Sequence, residues 1–139
     1  MERGEVWWVW IDERRPVVLL SGGNAPELRA MQIVAPATAQ EKRGFVVLSG
    51  AEASDPDEMG RIITAAGPAI GGIGVEVEIG RDEGLSPDGV VRVALPREGT
   101  IFCTWLVTLA PECLIEYVGT LSPARLNQLD GALRLAAIE

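Results

Sequence analysis

Two apolar runs of strand length within the first twenty-one residues, separated by a short polar break, constrain the fold of this chain more than any other feature. Trp7-Trp8-Val9-Trp10-Ile11 is aromatic and β-branched, which favours a strand over a helix. Asp12-Glu13-Arg14-Arg15 interrupts it, and Pro16-Val17-Val18-Leu19-Leu20-Ser21 resumes the apolar pattern. Residues 5–11 and 16–21 therefore make a β-hairpin, with Pro16, which lacks an N–H, expected to open the second strand. Arg15 then stands at the mouth of the hairpin with its guanidinium outward. In that position it can meet a phosphate with two parallel N–H donors. The alternative is a solvated turn charge paired with Asp12 or Glu13, which contributes little.

Short strands separated by tight turns continue along the chain. Leu28 to Ala35 reads as a third strand stopped by Pro36, and Phe45 to Leu48 as another short one. Asp55-Pro56-Asp57-Glu58 resembles a capping box with proline at the first helical position, and Gly67 ends that helix. Pro68 to Gly74 reads as a loop. Val75-Glu76-Val77-Glu78-Ile79 alternates, which predicts a half-buried strand with its glutamates on the wet face. A turn at Gly84–Gly89 leads to a strand over Val90–Leu95. After a turn at Pro96–Gly99, Thr100 to Leu109 forms a long apolar strand, and Pro111 to Tyr117 forms one or two helical turns. Ser122-Pro123 is an N-cap followed by proline at the first helical position. Leu126, Leu129, Leu133 and Ala136 then form one narrow stripe that faces a core or a partner, with Leu135 off it. Gly131 costs that helix up to ~1 kcal/mol relative to alanine, so packing must hold it. The sum is a compact, mainly β barrel with helical decoration, in one domain.

Composition narrows the chemistry. No run approaches the ~18 apolar residues that span a bilayer, and the charged start leaves no secretory segment, so a cytoplasmic protein is expected. Cys103 and Cys113 are then free buried thiols, and two cysteines without histidine make a poor zinc site. The chain has no histidine at all. That removes paired-histidine nuclease chemistry, the Ser-His-Asp triad and the Cys-His dyad. No phosphate-binding glycine loop precedes a helix, so neither a metal nor a cofactor is implied. The net charge of −8 is awkward for a nucleic-acid binder. Such a role requires Arg3, Arg14, Arg15, Arg29, Lys42 and Arg43 to gather on one face, or a short single strand held largely by stacking. Trp8 and Trp10 share one face of the first strand and Trp7 lies on the other, so the tryptophans cannot all be stacking platforms.

Taken together, the two ends resemble the MazF/PemK family of bacterial toxin ribonucleases. The matching residues are Arg3-Gly4-Glu5-Val6-Trp7-Trp8-Val9, then Arg15-Pro16-Val17-Val18-Leu19-Leu20-Ser21, and Val118-Gly119 through Leu121-Ser122 to Asp130, Ala132, Leu133, Leu135 and Ala136. The resemblance covers about half the chain, in the correct order. It implies a compact SH3-like (CcdB/PemK-like) barrel with a C-terminal helix, an insertion at about residues 40–72, and short extra helices. It also implies metal-independent cleavage of single-stranded RNA, in which the substrate's own 2′-hydroxyl is the nucleophile. Arg15 matches the family's arginine, and Thr38, in Ile33-Val34-Ala35-Pro36-Ala37-Thr38, its hydroxyl. Arg14, Trp10 and Trp8 are candidate RNA-binding residues. A cognate antitoxin peptide and a homodimer, through strand residues and the terminal helix, are the expected partners.

This sequence departs from the family in two places. The long loop between the first two strands is cut to Asp12-Glu13-Arg14. The family's polar Asp-Gln-Ile-Arg stretch has no clear match, falling at either Val93–Leu95 or Thr104–Val107. The rival reading is accordingly the same fold with a degraded site, a binding module acting through protein contacts as the related CcdB gyrase poisons do. An inert member kept for contact with an antitoxin-like partner is a third.

Overall fold

The computed structural model describes residues 2–22, 26–67, 71–86, 88–95 and 106–137. In chain order its strands are β1 (Glu5–Trp10), β2 (Arg14–Leu19), β3 (Leu28–Gln32), β4 (Val46–Ser49), β5 (Ile73–Ile79), β6 (Gly89–Ala94), β7 (Leu106–Leu109) and β8 (Leu114–Thr120). The α-helices are α1 (Gly50–Ala53), α2 (Pro56–Ala66) and α3 (Pro123–Leu135). A five-stranded sheet runs in the order β7-β3-β2-β1-β8 and a three-stranded sheet β4-β5-β6. A bridge between Val34 and Val90 ties the end of β3 to β6. The mainly β expectation with a terminal helix is borne out, in the form of two sheets.

The first hairpin forms with Trp8 opposite Pro16 and Trp10 opposite Arg14. Pro16 lies inside β2 rather than at its start. It is tolerated because its carbonyl accepts from Ile33 N–H at 2.9 Å, so the missing N–H points past the end of β3 and not toward β1.

Strand pairing divides the side chains of the large sheet between two faces. On one, Val6, Val18, Met31 and Ile33 pack with Val75, Val77 and Val91 of the second sheet and with Leu129 and Leu133 of α3. On the other, Val9, Val17, Leu19, Leu28, Ala30 and Leu109 form a second cluster, joined by Trp7 and Leu114. The stripe on α3 thus faces the chain's own core. Leu135 is half-buried and lines a cleft with Ala53, Pro56 and Met59 of α1 and α2.

Several expectations need correction. Pro111–Cys113 is a single 3₁₀ turn, and Leu114–Tyr117 is strand rather than helix. Its β-branched and aromatic residues pair with β1, with Tyr117 opposite Trp7. The third strand ends at Gln32; Ile33 still donates to Pro16 of β2, and from Val34 the chain turns to the bridge with Val90. Ile73 and Gly74 belong to β5, not to a loop. The reciprocal capping box stands at Ser49 and Glu52, while Asp55 caps α2 by accepting from Asp57 and Glu58 N–H. Glu76 is buried, not on a wet face. The turn at 96–99, the first part of the strand expected from Thr100, Cys103 and Trp105 lie outside the described residues. Cys113 is free and half-buried.

Candidate active site

Register decides where the candidate residues point. Arg15 pairs with Val9 and is two residues from Val17, so it shares the face of Val9 and Val17. Gln32 pairs with Val17 across β2 and β3, which puts it on that same face as a diagonal neighbour of Arg15. Arg14, Trp8 and Trp10 project from the opposite face. The arginine expected to act on phosphate and the residues expected to hold RNA are therefore separated by the sheet itself.

The hairpin turn supplies the partners of Arg15. Its Nε donates to Asp12 Oδ1 at 3.0 Å, and its Nη2 lies 3.1 Å from Glu13 Oε1. The hydrogen bond from Arg15 holds the Asp12 carboxyl below its ordinary value of 3.8, and the same bond raises the guanidinium. The pairing with Asp12 and Glu13 weighed in the sequence is thus present, on an arginine held at a strand end. These pairs are solvent-exposed, so exchanging them for a phosphate costs little.

On the opposite face, Arg14 Nη2 lies 2.8 Å from Glu116 Oε2, and its guanidinium carbon sits 4.6 Å from the centre of the Trp8 ring. Trp10 is 57% exposed. This is an aromatic and cationic patch with a flat, accessible ring. Three of the six cations that the charge balance called on are engaged within the chain. Arg3 is committed to Asp130 and the Leu20 carbonyl, Arg14 to Glu116 and Arg15 to Asp12.

Thr38 begins a turn after the Val34–Val90 bridge. Its backbone N–H donates to Glu41 Oε1 at 2.9 Å, and its Oγ1 accepts from Glu41 N–H at 3.1 Å. Hydrogen bonds from the Thr38 backbone N–H and side chain hold the Glu41 carboxyl below its ordinary value of 4.5. Thr38 lines a cavity of about 360 Å³ with Gln32, Val34, Ala35, Pro36, Glu41 and Arg92. The back of this cavity is fixed by a buried knot. Glu76 Oε2 accepts from Ala37 N–H at 3.0 Å and from Arg92 Nε at 2.9 Å, while Arg92 Nη2 donates to Ala35 O at 3.2 Å. Gln32, Glu41 and Arg92 escaped the sequence reading, and Glu76 entered it only as a strand residue facing water. The available signal was Gln32, a lone amide within the apolar run Ala30-Met31-Gln32-Ile33-Val34. Among the described residues, no group of three or more Asp, Glu or Cys side chains is placed to hold a metal ion.

Residues 2–137 match the family of PemK-like, MazF-like toxins of type II toxin–antitoxin systems. The chain belongs to this family. The match extends the resemblance of the two ends through the whole middle segment. The fold is shared with solved structures at low identity. One is an endoribonuclease in complex with its cognate antitoxin from a mycobacterial species, at 15% identity and TM-score 0.54, covering 99% of this chain and 92% of that one. Another is the Mycobacterium tuberculosis toxin MazF-mt6, at 14% identity and TM-score 0.56, covering 96% of each chain. No curated protein matches the sequence. The reading as a toxin of this family is borne out.

Proposed function

We propose that this chain is the endoribonuclease its family membership indicates, cutting single-stranded RNA without a metal. The 2′-oxygen attacks phosphorus and loses its proton, the P–O5′ bond breaks, and the 5′-oxygen takes up a proton. The products are a cyclic phosphate and a free 5′-hydroxyl. Arg15 donates its planar pair of N–H groups to the non-bridging oxygens as charge builds on them. Thr38 turns its hydroxyl from Glu41 to a phosphate oxygen when the substrate binds. Positioning and electrostatic stabilisation are the whole contribution asked of the protein, which suits a site without histidine.

The observation that carries this reading is the register that sets Arg15 diagonal to Gln32, and so toward the cavity that Thr38 lines. Trp8, Trp10 and Arg14 hold a flanking part of the strand on the far side of the hairpin, by stacking rather than by charge. A cytoplasmic setting, a cognate antitoxin peptide and a homodimer complete the proposal. Residues 40–72, which form β4, α1 and α2, are an insertion on the single domain. Among the described residues, no helix is long and apolar enough to cross a membrane.

The test is cleavage of single-stranded RNA by purified protein in excess chelator. Cleavage with 2′,3′-cyclic phosphate ends supports the proposal, and cleavage only after addition of a divalent ion overturns it. One observation favours the second reading, a binding module with a degraded site: Arg15 is held by two carboxylates on a protein of net charge −8. No cleavage under any condition, with stable binding to a protein target, would establish that reading instead.

A further inference from the structure

Gln32 is an unusual residue for the centre of this fold. It ends β3 with only 8% of its surface exposed, among neighbours that are apolar on both sides in sequence. Its carboxamide makes no hydrogen bond to any described residue. Yet no polar side-chain atom among the described residues is sealed away without a partner. The small exposure of Gln32 therefore belongs to its amide, and the space it reaches is the cavity it lines with Thr38, Glu41 and Arg92. A buried amide that forgoes internal partners costs free energy unless something outside the chain supplies them.

The walls around it are built, not incidental. The Glu76–Arg92 pair fixes Arg92 from behind and ties down Ala35 and Ala37, so the Pro36–Thr38 segment keeps its place. Glu41 is locked reciprocally to Thr38. About 360 Å³ lies at the lower end of the range for small-molecule sites, roughly 300–1,000 Å³, and suits one planar ring rather than a length of polymer.

We propose that this cavity is a nucleobase subsite, in which the Gln32 carboxamide reads the edge of one unstacked base of the bound RNA. The inference rests on the ribonuclease reading and adds to it the residue that selects sequence. A carboxamide offers two N–H donors and a carbonyl acceptor side by side. It pairs with a base edge that presents an amine next to a ring-nitrogen acceptor, as adenine does. The ionised Glu41 carboxylate on the same wall favours an exocyclic amine and disfavours a carbonyl in its place. Adenine and cytosine are therefore preferred to uracil. Arg15, diagonal to Gln32 on the adjoining strand, would hold a phosphate of the same nucleotide or its neighbour, since diagonal positions are separated by roughly 7–8 Å.

The test uses the four nucleoside monophosphates as probes, followed by NMR at the side-chain amide of Gln32, and needs no cleavage. AMP or CMP should shift the Gln32 amide resonances at millimolar concentration, at least tenfold more tightly than UMP. Gln32→Leu, which removes an unpaired buried amide for an apolar group of similar size, should fold normally and lose that preference. Gln32→Met serves as a second variant should leucine disturb the strand. Equal binding of all four nucleotides, no shift at Gln32, or a preference unchanged in both variants overturns the subsite. A selective shift at Gln32 in a protein that cuts no RNA would retain the subsite and sink the nuclease reading. RNA cleavage with an unaltered base preference in Gln32→Leu would do the reverse.

Discussion

Arg92 of β6 and Glu76 of β5 are register partners whose side chains meet at 2.8 Å on the face of the small sheet turned away from the main core. Both are largely buried, and both also bond to the backbone of the segment leading to Thr38. The pair therefore acts as a clamp between the second sheet and the candidate site.

Breaking that clamp from one side leaves a charge buried without compensation. Arg92→Leu or Glu76→Leu alone should cost about 3–5 kcal/mol in denaturant unfolding. The double variant Glu76→Leu/Arg92→Leu should recover much of that loss, because no lone charge remains. Single variants as stable as the wild type would show that the clamp does not hold the segment.

Arg15→Ala should fold as well as the wild type, since its ion pairs are exposed, and should lose cleavage by about 10²–10³-fold, the effect of removing one preorganised donor. Arg15→Lys should also be impaired, because an ammonium does not reproduce the planar fork. Circular dichroism checks the fold and single-turnover kinetics the chemistry. Full cleavage by folded Arg15→Ala removes this residue from the mechanism.

Glu41 sets a pH dependence on the turn that carries Thr38. The hydrogen bonds from Thr38 hold its folded carboxyl below 4.5. Its contribution is therefore complete above about pH 4.5 and is lost as pH falls through the lowered folded value. Melting temperature measured from pH 6 down to pH 3 should fall less steeply in Glu41→Gln than in the wild type. Identical slopes would mean that the two hydrogen bonds do not persist in solution.

Leu135 distinguishes contact within the chain from contact between chains. It is half-buried and lines the cleft with Ala53, Pro56 and Met59. If a homodimer also uses this end of α3, Leu135→Glu should yield a ~15 kDa folded species in sedimentation where the wild type sediments at about twice that mass. A wild-type protein that is already monomeric at micromolar concentration would refute the dimer.

Much of this molecule was legible in the residues themselves. Trp7 to Trp10 and Pro16 to Leu20 announce the hairpin because β-branched and aromatic alternation is a local property. Asp55-Pro56 and Ser122-Pro123 mark helix starts because capping is satisfied within one turn. Arg15 and Thr38 are proposed from the family resemblance of the segments around them. The tertiary structure decided what depends on strand register. It made Leu114–Tyr117 a strand by pairing it with β1, a non-local bond set that the sequence around it does not announce. It buried Glu76, which alternation alone had placed in water, because Arg92 arrives opposite from a different strand. It put Arg15 and Arg14, adjacent in sequence, on opposite faces of one sheet, since the side-chain period of a strand is two. And it carried Gln32, an unremarked amide in an apolar run, to the wall of the cavity beside Thr38, a placement fixed by pairing with Val17 and by no property of Gln32 itself.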